Sequence, residues 1–184
     1  MIKILRIRGS ANKFACVDYK LIMEKKDILI QAWDNCYDIE GWYPPLRNAL
    51  EGVDGSQAVW LPQGEASNAI REIVNHLFYY KRRFLFRLEG KKWPYELRSN
   101  EETFLPGEHT MNLMWDKLVN ELAAIHHQIR DKIVGMSEEK LIINLSKEPV
   151  DQQIMILATH DAYHTGQIIF IRKLYGSWPG ARDT

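Results

Sequence analysis

Four long stretches of this chain repeat their apolar residues every three or four positions, and each is fenced by glycine or proline. That period belongs to a helix with one face to bury. The first stretch covers about residues 24–40, with Ile28, Leu29, Trp33, Cys36 and Tyr37 on its stripe. Gly41 ends it, and Pro44 and Pro45 lack the N–H a helix would need. The second covers residues 67–88, with Ser67 placed as N-cap and Gly90 just beyond its end. Its stripe is Ile70, Ile73, Val74, Leu77, Lys81, Phe84, Leu85 and Leu88. A third, over residues 110–134, aligns Met114, Leu118, Leu122, Ile125, Ile129 and Ile133 and stops at Gly135. The fourth starts at Val150 behind Pro149, a residue suited to a first helical turn, and runs to Tyr175 before Gly176. The economical way to bury four such stripes together is an all-α, four-helix bundle. Its links are long, so crossover connections are open to it. Residues 141–145 are the one short segment that could be extended. Residues 1–22 do not carry the pattern; they read as an N-terminal extension ahead of a bundle over residues 23–184, and the first helix beginning just after Met23 would suit a start assigned too far upstream.

Composition narrows what such a chain can do. At 184 residues it has the length of about one domain. Lys+Arg and Asp+Glu are 24 each, so there is no basic excess for nucleic acid or for a polybasic membrane contact. No run approaches the ~18 apolar residues of a membrane span, and Lys3, Arg6 and Arg8 break up the N-terminus as a signal peptide. Cys16 and Cys36 are too few for a zinc ribbon or a disulfide framework and read as reduced thiols. A cytoplasmic protein acting on a small molecule, without nucleic acid or membrane partners, is expected.

The chemistry sits on the fourth helix. At ~100° per residue, Ile156, Leu157, Ile168, Ile171, Leu174 and Tyr175 share a face, with His160 and His164 in its middle and Gln167 beside them. Imidazoles at i and i+4 stand ~6 Å apart and can converge on one ion. The spacing by itself is weak evidence, since two packed core histidines give it too. Zinc proteases of this spacing carry a glutamate after the first histidine; here Asp161 is shorter and turned away from that face. A third ligand would come from His76, His109, His126 or His127. His109 lies in a Pro-Gly loop, and His126 and His127 read as solvated. His76 flanks the second stripe beside Ile73 and Tyr80, within reach of a neighbouring helix. Three histidines from two helices would leave a position open on the metal, as catalytic sites do.

Taken together, NHLFYYK around His76 and HDAYHTGQIIFIRKLYGSWP around His160 and His164 resemble the DinB-like family of bacterial metalloproteins. AWDNCYDIEGWYPPLRNAL and VWLPQGEASNAIREIVNHL resemble that family's first helix, its proline turn and its approach to the second helix, so the likeness runs from about Met23 to Pro179. The resemblance implies that His76, His160 and His164 bind a divalent ion, nickel or zinc, with water completing the shell. It also implies a stress-response setting and, by analogy, a homodimer. Members of the wider superfamily transfer bacillithiol or mycothiol, and others carry a hydrolase label.

Two reactions suit an open three-histidine site. A thiol cosubstrate held there as thiolate attacks an electrophile, giving transfer; or a metal-activated hydroxide gives hydrolysis. A non-catalytic metal-binding bundle is the third reading. Imidazoles suit zinc, nickel, copper or iron and do not choose among them. Glu72 and Tyr80, one turn either side of His76, and Gln153 and Gln167 on the fourth helix are placed to hold the far ring nitrogens. Tyr163 is placed to meet a substrate or to pack. Trp60 leads into the second helix, where packing under a loop is its ordinary use. Lys81, Arg82, Arg83 and Arg87 form a basic run that reads as a solvated face able to meet a cosubstrate's carboxylates.

Overall fold

The computed structural model describes residues 23–64, 67–95, 97–107 and 110–180. The N-terminal extension with Cys16, and His109, lie outside them. Seven helices are present and no strand among the described residues: α1 (Lys25–Tyr37), α2 (Leu46–Leu50), α3 (Gly55–Ala58), α4 (Ile70–Leu88), α5 (Trp115–Val134), α6 (Glu138–Leu141) and α7 (Val150–Tyr175). A 3₁₀ turn, Glu101–Thr103, lies between α4 and α5.

The four long helices are those expected, packed in the cyclic order α1–α5–α4–α7, each against two neighbours. Leu29, Trp33, Leu77, Phe84, Leu118, Leu122, Ile129, Ile133 and Ile168 meet in one core. α2 and α3, too short for a periodic pattern to reveal, sit in the first long link; α2 packs on α7 and takes Pro45 as its N-cap residue. Residues 141–145 are not extended as a unit: Leu141 closes α6, and a lone antiparallel bridge joins Asn144 to Pro149. Gly176 ends α7 in the left-handed conformation, φ 84°, which favours glycine there.

Several expected positions differ. Ser67 does not cap α4; its hydroxyl donates to the carbonyls of Pro62 and Gly64, and the helix starts at Ile70. Glu72 reaches back instead, its Oε2 accepting from the Ala69 N–H at 2.8 Å. α5 begins at Trp115, whose indole donates to the Val53 carbonyl at 2.6 Å, so Met114 falls outside the helix and is exposed. Ile28, Ile156, Leu174 and Tyr175 are also exposed. On α7 the buried face instead runs through Ile154, Leu157, Ala158, Asp161, His164, Thr165, Ile168 and Ile171.

Asp161, expected to turn away, is at the centre of that face. Lys81, which falls on the apolar stripe of its helix although its basic run read as a solvated face, is fully buried beneath it: its Nζ stands 2.5 Å from Asp161 Oδ2, and both side chains are 0% exposed. The ammonium also donates to His126 Nδ1 at 3.0 Å and lies 4.3 Å from the Trp33 ring centroid. His126 is likewise a core residue, stacked between Trp33 and Tyr37, whereas His127 is at the surface against Asp38. Burial, and then the Lys81 charge, lower the His126 pKa, which keeps the ring neutral. Burial raises the Asp161 carboxyl, with the Lys81 charge opposing. Cys36 adds its thiol at 3.7 Å from Asp161 Oδ2, and burial pushes that thiol up, away from thiolate. All four long helices thus contribute a side chain to one buried polar knot.

Removing one partner from such a pair leaves an uncompensated charge in the core. Lys81→Met or Asp161→Leu alone is expected to cost about 3–5 kcal/mol, and the double substitution to recover most of the loss. Urea unfolding of the four proteins measures it; additive losses would contradict the pairing.

Candidate metal centre

His76 stands on the second turn of α4, and His160 and His164 are one turn apart on α7, the helix packed beside it. Their rings converge through Nε2. His76 Nε2 is 2.9 Å from His160 Nε2, and His164 Nε2 is 3.2 Å from His160 Nε2. Nitrogens sharing one ion at 2.0–2.1 Å and ~90–109° apart stand about 2.8–3.4 Å from each other, so these separations suit a common ion.

The far nitrogens fix where the protons are. His164 Nδ1 donates to Gln167 Oε1 at 2.6 Å, an acceptor only, so that ring carries its proton on Nδ1. Thr103 donates its hydroxyl hydrogen to the Asn100 carbonyl at 2.5 Å, and its oxygen therefore accepts from His76 Nδ1. Both Nε2 atoms are left as bare lone pairs. The Nδ1 of His160 is buried without a partner. Wherever the proton of His160 resides, at least one lone pair in the cluster has no donor. A cation satisfies all of them at once.

Burial keeps the rings neutral. It lowers His76 to about 3, with His164 and His160 adding to the effect. It lowers His160 to about 4, helped by His164 and Lys81. His164 is lowered by burial too, against an upward pull from Gln167. Neutral imidazole is the form that ligates.

Above the cluster opens a cavity of about 590 Å³. Phe104 stacks on the His76 ring at 4.0 Å, and Tyr80 meets His76 and His160 edge-on while its hydroxyl donates to Asn100 Oδ1 at 2.8 Å. Leu157, Ile156 and Tyr163 complete the α7 side, with Tyr163 largely exposed. Among the described residues, Asn68, Asn100 and Gln167 are the remaining polar groups, and no lysine, arginine or carboxylate lines the space.

The expected neighbours of the ligands divide accordingly. Gln167 holds His164, Tyr80 packs on two rings, and Glu72 caps α4. Gln153 lies elsewhere, accepting from Arg87 and donating to the Glu148 carbonyl. Trp60 packs on Tyr175 and does not reach the cavity, and the basic run contributes nothing to it. Thr103 and Phe104 escaped the sequence reading because they lie in a link with no periodic pattern. A second set of metal-ligating atoms, Cys36, His126 and Asp161, also lies within one sphere, but the Lys81 ammonium already stands among them.

The sequence profile of the DinB superfamily matches residues 44–168, which takes in all three histidines. The chain belongs to the DinB superfamily. Neither curated proteins nor solved structures give a match. Among the described residues no helix of this superfamily member is long and apolar enough to cross a membrane.

Thr103 fixes the His76 tautomer, so Thr103→Val is expected to weaken nickel or zinc binding about 10–100-fold with the helical content unchanged. Competition against a chromophoric chelator measures this, and an unaltered affinity would show that the hydroxyl does not set the ligand.

Proposed function

We propose that this DinB-superfamily chain is a metal-dependent enzyme that transfers a low-molecular-weight thiol, of the bacillithiol kind, to a small electrophile. The observation that carries the reading is the convergence of the Nε2 atoms of His76, His160 and His164 under an open cavity with no carboxylate in its lining among the described residues. These three residues would hold a divalent ion, nickel or zinc. Once bound, such an ion supplies a Lewis-acid position at which a thiol gives up its proton without a protein base. Hydrolysis would draw more on a positioned base, and among the described residues the cavity lining holds no carboxylate to serve as one.

The residues of the chain then have defined tasks. Gln167 and Thr103 hold two ligand rings with their Nδ1 protons outward. Phe104 and Leu157 cover the cluster and limit water. The Tyr80 hydroxyl, tied to Asn100, and the Asn68 amide offer neutral polar contacts at the wall. A neutral electrophile suits this lining, and charged ends of the thiol would stay at the mouth. The sulfur–carbon bond forms as the bond to the leaving group breaks: RSH + R′X gives RSR′ + HX, the thiol proton leaving with X or to solvent.

The test uses the metal-loaded chain, bacillithiol or glutathione, and chlorodinitrobenzene as electrophile. Adduct formation above the uncatalysed rate, lost in His164→Ala and on chelation, is expected. A metal-loaded chain that cleaves p-nitrophenyl acetate without thiol, and leaves the thiol reaction unaccelerated, would assign the site to hydrolysis instead.

A further inference from the structure

α4 carries a second set of inward-facing residues beside the one that presents His76. Asn75, Phe78, Tyr79 and Arg82 stand at three- and four-residue spacings along it, and the link after α4 folds over them. Between helix and link lies a cavity of about 140 Å³, separate from the one above the histidines. A cavity of this volume accommodates one six-membered ring; an apolar cavity of ~150 Å³ in another protein takes up benzene.

Most polar groups around this cavity are already engaged. The Trp93 indole donates to the Tyr79 hydroxyl at 3.2 Å. Thr103 is held between His76 and Asn100, and Thr110 donates to the Gly107 carbonyl at 3.4 Å. Glu102 accepts from the Arg98 N–H at 3.0 Å. Two groups are placed to meet a ligand. Asn75 is 3% exposed, and while its Nδ2 donates to the Phe104 carbonyl, its Oδ1 has no partner. Arg82 is half-buried between the Phe78 and Phe86 rings and pairs with no carboxylate among the described residues. A buried acceptor without a donor is unfavourable by itself, and a ligand with an O–H or N–H would satisfy it.

We infer that this cavity is a binding site for a phenol-like molecule: one aromatic ring against Phe78, Tyr79 and Trp93, with its O–H or N–H donated to Asn75 Oδ1. A carboxylate on the far side of that ring is matched by Arg82. The site stands independently of the reaction proposed for the histidine cluster. It backs onto that cluster, since Asn75 holds the Phe104 carbonyl and the Phe104 ring stacks on His76.

Calorimetric titration of the full chain with phenol, anisole and 4-hydroxybenzoate tests it. Phenol is expected to bind, and anisole, which has the ring without the donor, about tenfold more weakly. Asn75→Leu should weaken phenol by a similar factor. 4-Hydroxybenzoate should bind more tightly than phenol, with Arg82→Gln removing the advantage. His160→Ala should bind phenol as the unaltered chain does, which separates this cavity from the histidine site. Absence of phenol binding at millimolar concentration, equal binding of anisole, or loss of phenol binding in His160→Ala would overturn the inference. If Asn75→Leu does not fold, the comparison of phenol with anisole on the unaltered chain decides.

Discussion

The Lys81–Asp161 pair is the constraint on which the rest of this molecule depends. An ammonium and a carboxylate with no solvent exposure are tolerable in a core only where each finds the other. Lys81 is on α4, Asp161 on α7, and Trp33 and Cys36 of α1 and His126 of α5 close around them. A helix turned by one residue would strand a charge, so the pair sets how α4 and α7 face each other. The histidines inherit that setting. His160 is the residue next to Asp161, His164 lies one turn on, and His76 is little more than a turn before Lys81. The knot is closed by the chain's own cation; the histidine cluster, built on the same two helices, has none.

That difference explains the chemistry available at each. In the knot, Nζ of Lys81 already stands against Asp161 Oδ2 and His126 Nδ1, so a cation of the chain itself occupies the place among the donor atoms. In the cluster, Gln167 and Thr103 direct two Nδ1 protons outward and leave Nε2 lone pairs pointing at one another. Neutral imidazoles, their pKa values lowered by burial, stand open to a cavity that no charged side chain lines among the described residues. A divalent ion is the natural partner of that arrangement, and the vacant side of the shell is where a substrate would enter.

Much of this was legible in the residues. The limits of α7, the buried stripe of α5 from Leu118 to Ile133, and the three histidines all follow from spacing and from the family likeness. What was not legible has common physical causes. Lys81 falls on an apolar stripe, and one sequence cannot show that a carboxylate on another helix waits for it; Asp161 and His126 were misplaced for the same reason. Projection at 100° per residue sees one helix at a time, so the α7 face was drawn through Ile156 and Leu174, although α4 and α1 cover the face through Asp161. Thr103 and Phe104 sit in an aperiodic link. Ser67 has the chemistry of an N-cap, but its hydroxyl is engaged by the turn before the helix, and Glu72 does the capping from within.

The account rests on one ion held jointly by His76, His160 and His164. Metal content of the purified chain by plasma mass spectrometry, after incubation with nickel or zinc, beside His160→Ala is the most direct test. One equivalent in the unaltered chain and none in the folded variant is the expected result. A full equivalent retained in His160→Ala, or no metal bound by the unaltered chain, would contradict it.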